Sequence, residues 1–213
     1  VKLPTKIDSF TGVWGILSNF APGEVSLWIT ADGEVYAHEV PDATVEVYAS
    51  VEHAYQAAKT LNAAAREKFR FLGVTPGRAK RMGRSLKLRP NWEEIKIVIM
   101  YDLLLQKFKP SIPRRKLLST FQAELIEGNH WHDTFWGVCM GKCDFPHAPL
   151  GENMLGRLLM EVRQHYGLGI NKRTDEELFE MMEPTCKHGK TKRQECGLCA
   201  GGFDNASPQI VED

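Results

Sequence analysis

Apolar residues recur along this chain with two different periods. From Val25 to Thr30 and again from Glu34 to Val40 they alternate with polar ones, on either side of Ala31-Asp32-Gly33. That is the period-two pattern of a β-hairpin, and Thr44–Tyr48 reads as a third short strand. After Val51 the spacing lengthens to three and four residues, as in amphipathic helices. A first helix is predicted from about Val51 to Phe71, with Ser50 as N-cap and a stop near Gly73. A short one follows Thr75-Pro76, with proline at the first helical position. A long one starts at Asn91, where Glu94 completes a capping box, and runs through Ile95, Ile99, Leu103 and Leu104 to Phe108. Another follows Pro113 and uses Leu117, Leu118 and Phe121. The last core helix starts near Asn153, carries Leu155, Leu158, Leu159, Val162 and Tyr166, and stops at Gly167.

The first helix opens with Ser-Val-Glu-His-Ala-Tyr-Gln-Ala-Ala-Lys, residues 50–59. Val51, Ala54, Ala58 and Leu61 fall on one face and are expected to pack inward. Glu52, Gln56 and Lys59 sit at i, i+4 and i+7, so an acid, an amide and an amine share another face. Such a stripe is either a reaction site or an ordinary solvated face with a glutamate at the positive end of the helix dipole.

Composition narrows the picture. The 213 residues suffice for one domain with a real core and a short appendage. The 27 basic and 27 acidic residues cancel, so no net field directs the chain to nucleic acid or membrane. The charge is unevenly placed, with a basic stretch from Arg66 to Arg89 and an acidic one from Asp175 to Glu183. No apolar run reaches membrane-spanning length, so no membrane partner is expected. The start of the chain lacks a signal peptide's charged-then-apolar order, and the expected location is cytoplasmic, or nuclear in a eukaryote. In those compartments the five cysteines are expected as thiols or metal ligands.

Several short pieces join the Glu52 helix as candidates for chemistry. They are Leu17-Ser18-Asn19-Phe20, Met82-Gly83-Arg84, Trp92, Lys107-Phe108, Asp133-Thr134-Phe135-Trp136-Gly137, Gly151-Glu152-Asn153-Met154-Leu155-Gly156 and Leu159-Met160-x-x-Arg163. Each is weak alone, but their order and spacing are specific together. Over roughly Gly12 to Tyr166 the chain resembles the NADAR family. The resemblance implies a compact α+β domain, predominantly helical, with the small antiparallel sheet at its N-terminal end. It also implies N-glycosidase activity on ribosylated amines, either removal of ADP-ribose from guanine bases or cleavage of ribosylamino-pyrimidine intermediates of riboflavin synthesis. One departure is the long loop Val138 to Leu150, which carries Cys139, Cys143 and His147. It lacks a fourth metal ligand and is expected to be an ordinary loop bordering the pocket.

Both substrates join ribose C1 to an exocyclic amine. Such a sugar can open to an imine, which a lysine attacks to give a Schiff base that water then releases. Lys59 is the candidate, provided desolvation or neighbouring cations keep part of it neutral. Glu52 or Asp133 would move protons. The rival route is direct attack by water with one of those carboxylates as base, and the rival role for Lys59 is a phosphate-binding cation. Trp92, Phe135, Trp136 and Gly137 are candidates around a base, with core packing as the other role of the tryptophans. Arg84 is a phosphate ligand or a surface ion pair. Ser18, Asn19, Phe20, Gln56, Asn153 and Gly156 complete the expected substrate-binding set, though Asn153 is equally an N-cap. His53 is a useful titrating group or a satisfied packing residue. The expected partner is an ADP-ribose-containing substrate, the expected state a monomer, and catalysis is expected to need no cofactor. A non-enzyme reading, an ADP-ribose or nucleic-acid binding module, stays open.

Composition shifts after Gly169, so residues 1–169 are expected as the catalytic domain and 170–213 as an appendage. Thr174 to Glu183 reads as a capped acidic helix. Beyond it Cys186, His188, Cys196 and Cys199 have the ligand types and spacing of a tetrahedral zinc knuckle over 186–199. Lys187, Lys190, Lys192 and Arg193 lie within it and would meet a phosphate backbone, making nucleic acid a further expected partner. Purified without chelator, the full chain should carry one zinc per molecule by metal analysis. Removing residues after 169 should abolish the zinc and leave the domain folded. A metal-free full chain would sink the knuckle.

Overall fold

The structure is a computed structural model that describes residues 4–140 and 151–168. The expected acidic helix and zinc knuckle, and the Cys143 and His147 part of the long loop, lie outside the described residues. The described chain opens with the short β1 (Lys6–Ile7) and a single 3-10 segment at Gly12–Leu17. Strands β2 (Val25–Ile29), β3 (Val35–Tyr36) and β4 (Thr44–Tyr48) then form an antiparallel sheet in the order β3-β2-β4. The alternation of apolar and polar residues had set this hairpin and its third strand, but the second strand, expected over Glu34–Val40, pairs only at Val35–Tyr36. The inward set is Val25, Leu27, Val35 and Tyr48, all buried.

Six helices follow among the described residues: α1 (Val51–Ala58), α2 (Ala63–Glu67), α3 (Pro76–Gly83), α4 (Trp92–Phe108), α5 (Ser111–Leu118) and α6 (Met154–Leu168). The result is an α+β fold in which α4 packs against the sheet, α1, α5 and α6, and α1 packs against α3, α4 and β2. Two-residue strands close the far side. Here β5 (Glu124–Leu125) pairs with β1, and β6 (Gly128–Asn129) pairs with β7 (Val138–Cys139), both parallel. Pieces this short have no hydrophobic period and left no strand pattern in the sequence. Among the described residues, no helix is long and apolar enough to cross a membrane.

The single helix predicted over 51–71 is two. Asn62 accepts the backbone N–H of Ala65 at 2.9 Å and so starts α2 afresh. The carbonyl of Lys59 leaves the helix to accept Arg89 N at 2.8 Å. Leu61, expected inside, falls in the break and is exposed. The capping box expected at Asn91 does not form either, because the Asn91 side chain accepts Arg89 Nε at 2.8 Å instead. Helix α5 begins before Pro113, and Phe121 lies beyond its end at φ 49°, largely exposed. Cys139 is buried and disulfide-bonded, whereas the compartment argument expects thiols or metal ligands.

Buried polar clamps join helices to sheet. Arg66 bonds both carboxylate oxygens of Glu46 on β4, at 3.0 and 3.2 Å, and the carbonyl of Leu61 at 2.8 Å. Gln106 of α4 accepts Ser26 N at 2.7 Å and donates to the carbonyls of Ser26 and Ala37 at 3.0 and 2.6 Å. Arg163 of α6 reaches Thr120 Oγ1 and the Ala123 carbonyl, both at 2.8 Å.

Helix α6 also needs a glycine. A Cβ at Gly156 would stand 2.1 Å from the carbonyl oxygen of Leu125, on backbone that cannot easily move aside. Gly156→Ala should therefore cost about 1–3 kcal/mol of stability, as overpacking does, measured by denaturant unfolding. An unchanged midpoint would show that α6 and the 125 segment separate without cost.

Candidate active site

Every residue of α1, Val51 to Ala58, is buried, so the polar stripe is not a solvated face. Ser50 starts the helix by accepting His53 N, and the Asn19 carbonyl takes Glu52 N at 3.1 Å. Lys107 of α4 donates to the Ser18 carbonyl at 2.6 Å, which fixes the 18–20 loop beside the same helix end. Glu52 and Gln56 are only 5% and 4% exposed. They face a cavity of about 380 Å³ shared with Lys59, which caps the helix C-terminus. That volume is within the range of small-molecule sites.

Ser18, Asn19 and Phe20 form one wall, Lys80 and Arg84 of α3 another, and Asp133 and Trp136 a third. Helix α3 lies close on α1 because Gly83 lacks a side chain; a Cβ there would be 1.8 Å from Gln56 Oε1. Lys80 pairs with Asp133 at 3.5 Å and lies 5.4 Å from the centre of the Trp131 ring. Asp133 in turn accepts Trp136 N at 3.0 Å, which fixes the carboxylate to its own turn.

The charges respond to this enclosure. Burial raises the Glu52 carboxyl above its ordinary range; the 2.8 Å bond from Gln56 and the cations Lys80 and Lys59 pull it partly back, and Asp133 adds to the rise. Burial lowers the Lys59 ammonium, opposed by Glu52 and aided by Lys80. The condition set from sequence, that desolvation or nearby cations keep part of Lys59 neutral, is thus met in direction by both. Tyr55 and Trp92 stand 5.6 and 5.9 Å from Lys59 Nζ and form the apolar floor under it.

The structure brings together Ser18, Asn19, Phe20, Glu52, Gln56, Lys59, Arg84, Asp133 and Trp136 around this cavity. It places the other expected residues elsewhere. Both ring nitrogens of His53 are engaged, with Ser50 Oγ and the Val74 carbonyl at 2.8 Å each, so it packs α1 against the chain before α3. Trp92 is buried against Tyr55 at 5.1 Å between ring centroids, behind the cavity wall. Phe135 supports Trp136 edge-on at 5.0 Å. Asn153, at φ 52°, spends its amide on the Leu125 carbonyl and on Glu127 N, neither on a helix end nor on the cavity. Gly137 and Gly156 serve close backbone approach.

Sequence reasoning missed Tyr55, Lys80, Glu127, Asn129, Trp131 and His132 as cavity-lining residues. Lys80 had a usable signal, since it precedes Arg84 by one helical turn. Glu127 had none, because it lies in an irregular stretch. Burial raises its carboxyl to about 7; the cations Lys80 and Lys107 lower it, and Asp133 and Glu52 add to the rise. The Lys107 ammonium is pushed by burial down to about 7.

With the fold and cavity in hand, the chain falls in a defined class. Residues 11–166 match the NADAR domain, and the chain belongs to that family. It is similar to N-glycosidase YbiA of Escherichia coli, 39% identical over 120 residues, which is 55% of this chain and 69% of that protein. An N-glycosidase of Nostoc punctiforme is 32% identical over 162 residues, 73% of this chain and 89% of that one. The chloroplastic riboflavin biosynthesis protein PYRR of Zea mays is 33% identical over 177 residues, 75% of this chain but 25% of that protein. The solution NMR structure of Escherichia coli YbiA matches with a TM-score of 0.55 and 32% identity, covering 79% of this chain and 89% of that one.

The raised carboxyl of Glu127 makes stability depend on pH. A carboxyl held above its unfolded value contributes stability below the ordinary carboxylate range and loses it as pH rises through about 7. Glu127→Gln should therefore gain stability relative to the parent between pH 5 and pH 8, by denaturant unfolding at both. A difference constant across that window would show that Glu127 ionises as an exposed glutamate does.

Proposed function

We propose that this protein is an N-glycosidase that breaks the bond between ribose C1 and an exocyclic amine, with ADP-ribose on guanine as its substrate. The observation that carries the reading is the presence of Glu52 and Lys59 in one cavity, each shifted by burial toward its neutral form. A neutral amine is a nucleophile and a protonated carboxyl is an acid. Glu52 assists ring opening by protonating the ring oxygen while the exocyclic N–H is lost, giving an imine at C1. Lys59 adds to that carbon, the base leaves with its nitrogen, and water releases the sugar from the lysine Schiff base. Asp133, which pairs with Lys80 at 3.5 Å, acts in this reading as a further proton carrier or as a hydroxyl ligand. Lys80 and Arg84 on α3 supply the cations that a diphosphate needs.

A second reading, cleavage of ribosylamino-pyrimidine intermediates of riboflavin synthesis, is favoured by the relatives named N-glycosidase and riboflavin biosynthesis protein PYRR. The bond broken is the same, and the two differ in what lies beyond the ribose. A binding module without turnover is the third outcome.

The test is to incubate the protein with guanine-ADP-ribosylated DNA and, separately, with the ribosylaminopyrimidine phosphate, and to follow free sugar by mass spectrometry. The guanine adduct is the expected substrate; release from the pyrimidine alone would select the second reading, and binding without release the third. Glu52→Gln and Lys59→Ala should each cut turnover about a hundred- to ten-thousand-fold with the melting temperature held within a few degrees. Borohydride added during turnover should leave a sugar adduct on Lys59. Variants with near-parental turnover would show that the chemistry is elsewhere.

A further inference from the structure

Three sequence pieces that stay out of the cavity converge on one segment of chain. The Asn153 amide donates to the Leu125 carbonyl at 2.8 Å and accepts Glu127 N at 3.0 Å. The Glu127 carbonyl accepts Val138 N at 2.8 Å. A Cβ on Gly137 would stand 2.2 Å from that carbonyl oxygen and 3.1 Å from Glu127 Cγ, so glycine there makes room for the Glu127 side chain. Gly156 lets α6 lie against the Leu125 carbonyl and the Asn153 amide, which a Cβ would approach to 2.1 and 2.5 Å. This much bracing around an irregular stretch holds one functional group in the cavity, the carboxyl of Glu127. Among the described residues that carboxyl has no hydrogen bond and no ion pair. Glu52 faces it from α1, Lys80 from α3, Lys107 from α4 and Asp133 from the 130–137 turn, and His132 lines the same cavity.

We propose that Glu127 is a second catalytic acid–base residue of this cavity, acting on the departing amine and on the attacking water. The assignment rests on the N-glycosidase reading. As the C1–N bond breaks, its electron pair stays on nitrogen and the Glu127 carboxyl supplies the proton, leaving a carboxylate. That carboxylate then takes one proton from the water whose oxygen adds to C1, so the acid is restored and one water is consumed for each amine released. The same exchange serves a lysine-bound sugar or direct hydrolysis. An unpaired carboxyl suits it, because no partner has to be broken before the proton moves. Its hold near neutrality lets both forms exist at working pH. The environments of Glu52 and Glu127 also differ. Glu52 is deeply buried and bonded to Gln56, while Glu127 is half-buried and open to the cavity. Two carboxyls so separated are suited to different steps.

The experiment uses the full chain and the ribosylated amine that the parent turns over. Glu127→Gln keeps shape and polarity but carries no transferable proton. It should lower kcat about a hundredfold or more, leave KM nearly unchanged, and remove the limb of the kcat–pH profile near neutrality. Glu127→Ala should be equally slow and recover in part with added formate, which a merely structural role would not do. Melting curves identify a variant that is slow because it is unfolded, and for such a variant the pH profile and formate rescue of the other one decide. Parental kcat and pH profile in Glu127→Gln, or slow variants that formate does not rescue, would overturn the assignment alone. A parent inactive on every ribosylated amine would overturn the N-glycosidase reading, and this assignment with it.

Discussion

Burying Glu52 on α1 strips its carboxyl of water, and a carboxyl so placed must hold a proton or be answered by nearby cations. The protein does some of each. The Gln56 amide and the two lysines lower the cost of charge on Glu52, while burial keeps that charge unfavourable. The same enclosure lowers the Lys59 ammonium. Taking the helix out of water therefore produces two complementary shifts, the carboxyl toward its acid form and the amine toward its free base. Were α1 half-solvated, Lys59 would be an ordinary ammonium and Glu52 an ordinary carboxylate.

Keeping α1 dry sets requirements on its neighbours. Helix α3 must come close enough to bring Lys80 and Arg84 to the rim, and Gly83 permits this by leaving space for Gln56. The 18–20 loop must cover the helix start, and it is held by the Asn19 carbonyl on Glu52 N and by Lys107 on the Ser18 carbonyl. Tyr55, Trp92, Phe135 and Trp136 form a chain of tilted and edge-on rings that seals the floor beneath Lys59. Several motif residues that look like ligands for a substrate therefore act one step behind it. His53, Asn153, Gly137 and Gly156 hold backbone in place, and the side chains in the cavity are those that this backbone carries.

The cavity collects acids and bases from four separate parts of the chain: Glu52 and Lys59 at α1, Lys80 on α3, Glu127 beside β6, and Asp133 in the following turn. Membership of the NADAR family and likeness to proteins named N-glycosidase fit a site of that composition. An N-glycosidic bond joins a sugar carbon to nitrogen, and its cleavage calls for proton transfer to the departing nitrogen and a nucleophile at the carbon.

Some of this was legible in the sequence, because short-range rules are written in short stretches. Alternation gave the β2–β3 hairpin and β4; the Thr75-Pro76 start gave α3; the three-to-four spacing gave α4 and α6; and the i, i+4, i+7 register aligned Glu52, Gln56 and Lys59. Local spacing did not show that α1 is buried on every side, because burial depends on what packs over a helix, and α3, α4 and β2 come from distant segments. Nor did it show that the predicted 51–71 helix breaks. Asn62 acts as a cap and Arg89 takes the Lys59 carbonyl only once the chain has turned. Glu127 illustrates the limit. It lies in a stretch with no period, and its place in the cavity follows from an asparagine 26 residues away that holds its N–H. The sequence determined which residues share a helix face or a strand; the tertiary structure decided which faces lose their water, and with that which carboxyls and amines are pushed toward their neutral forms.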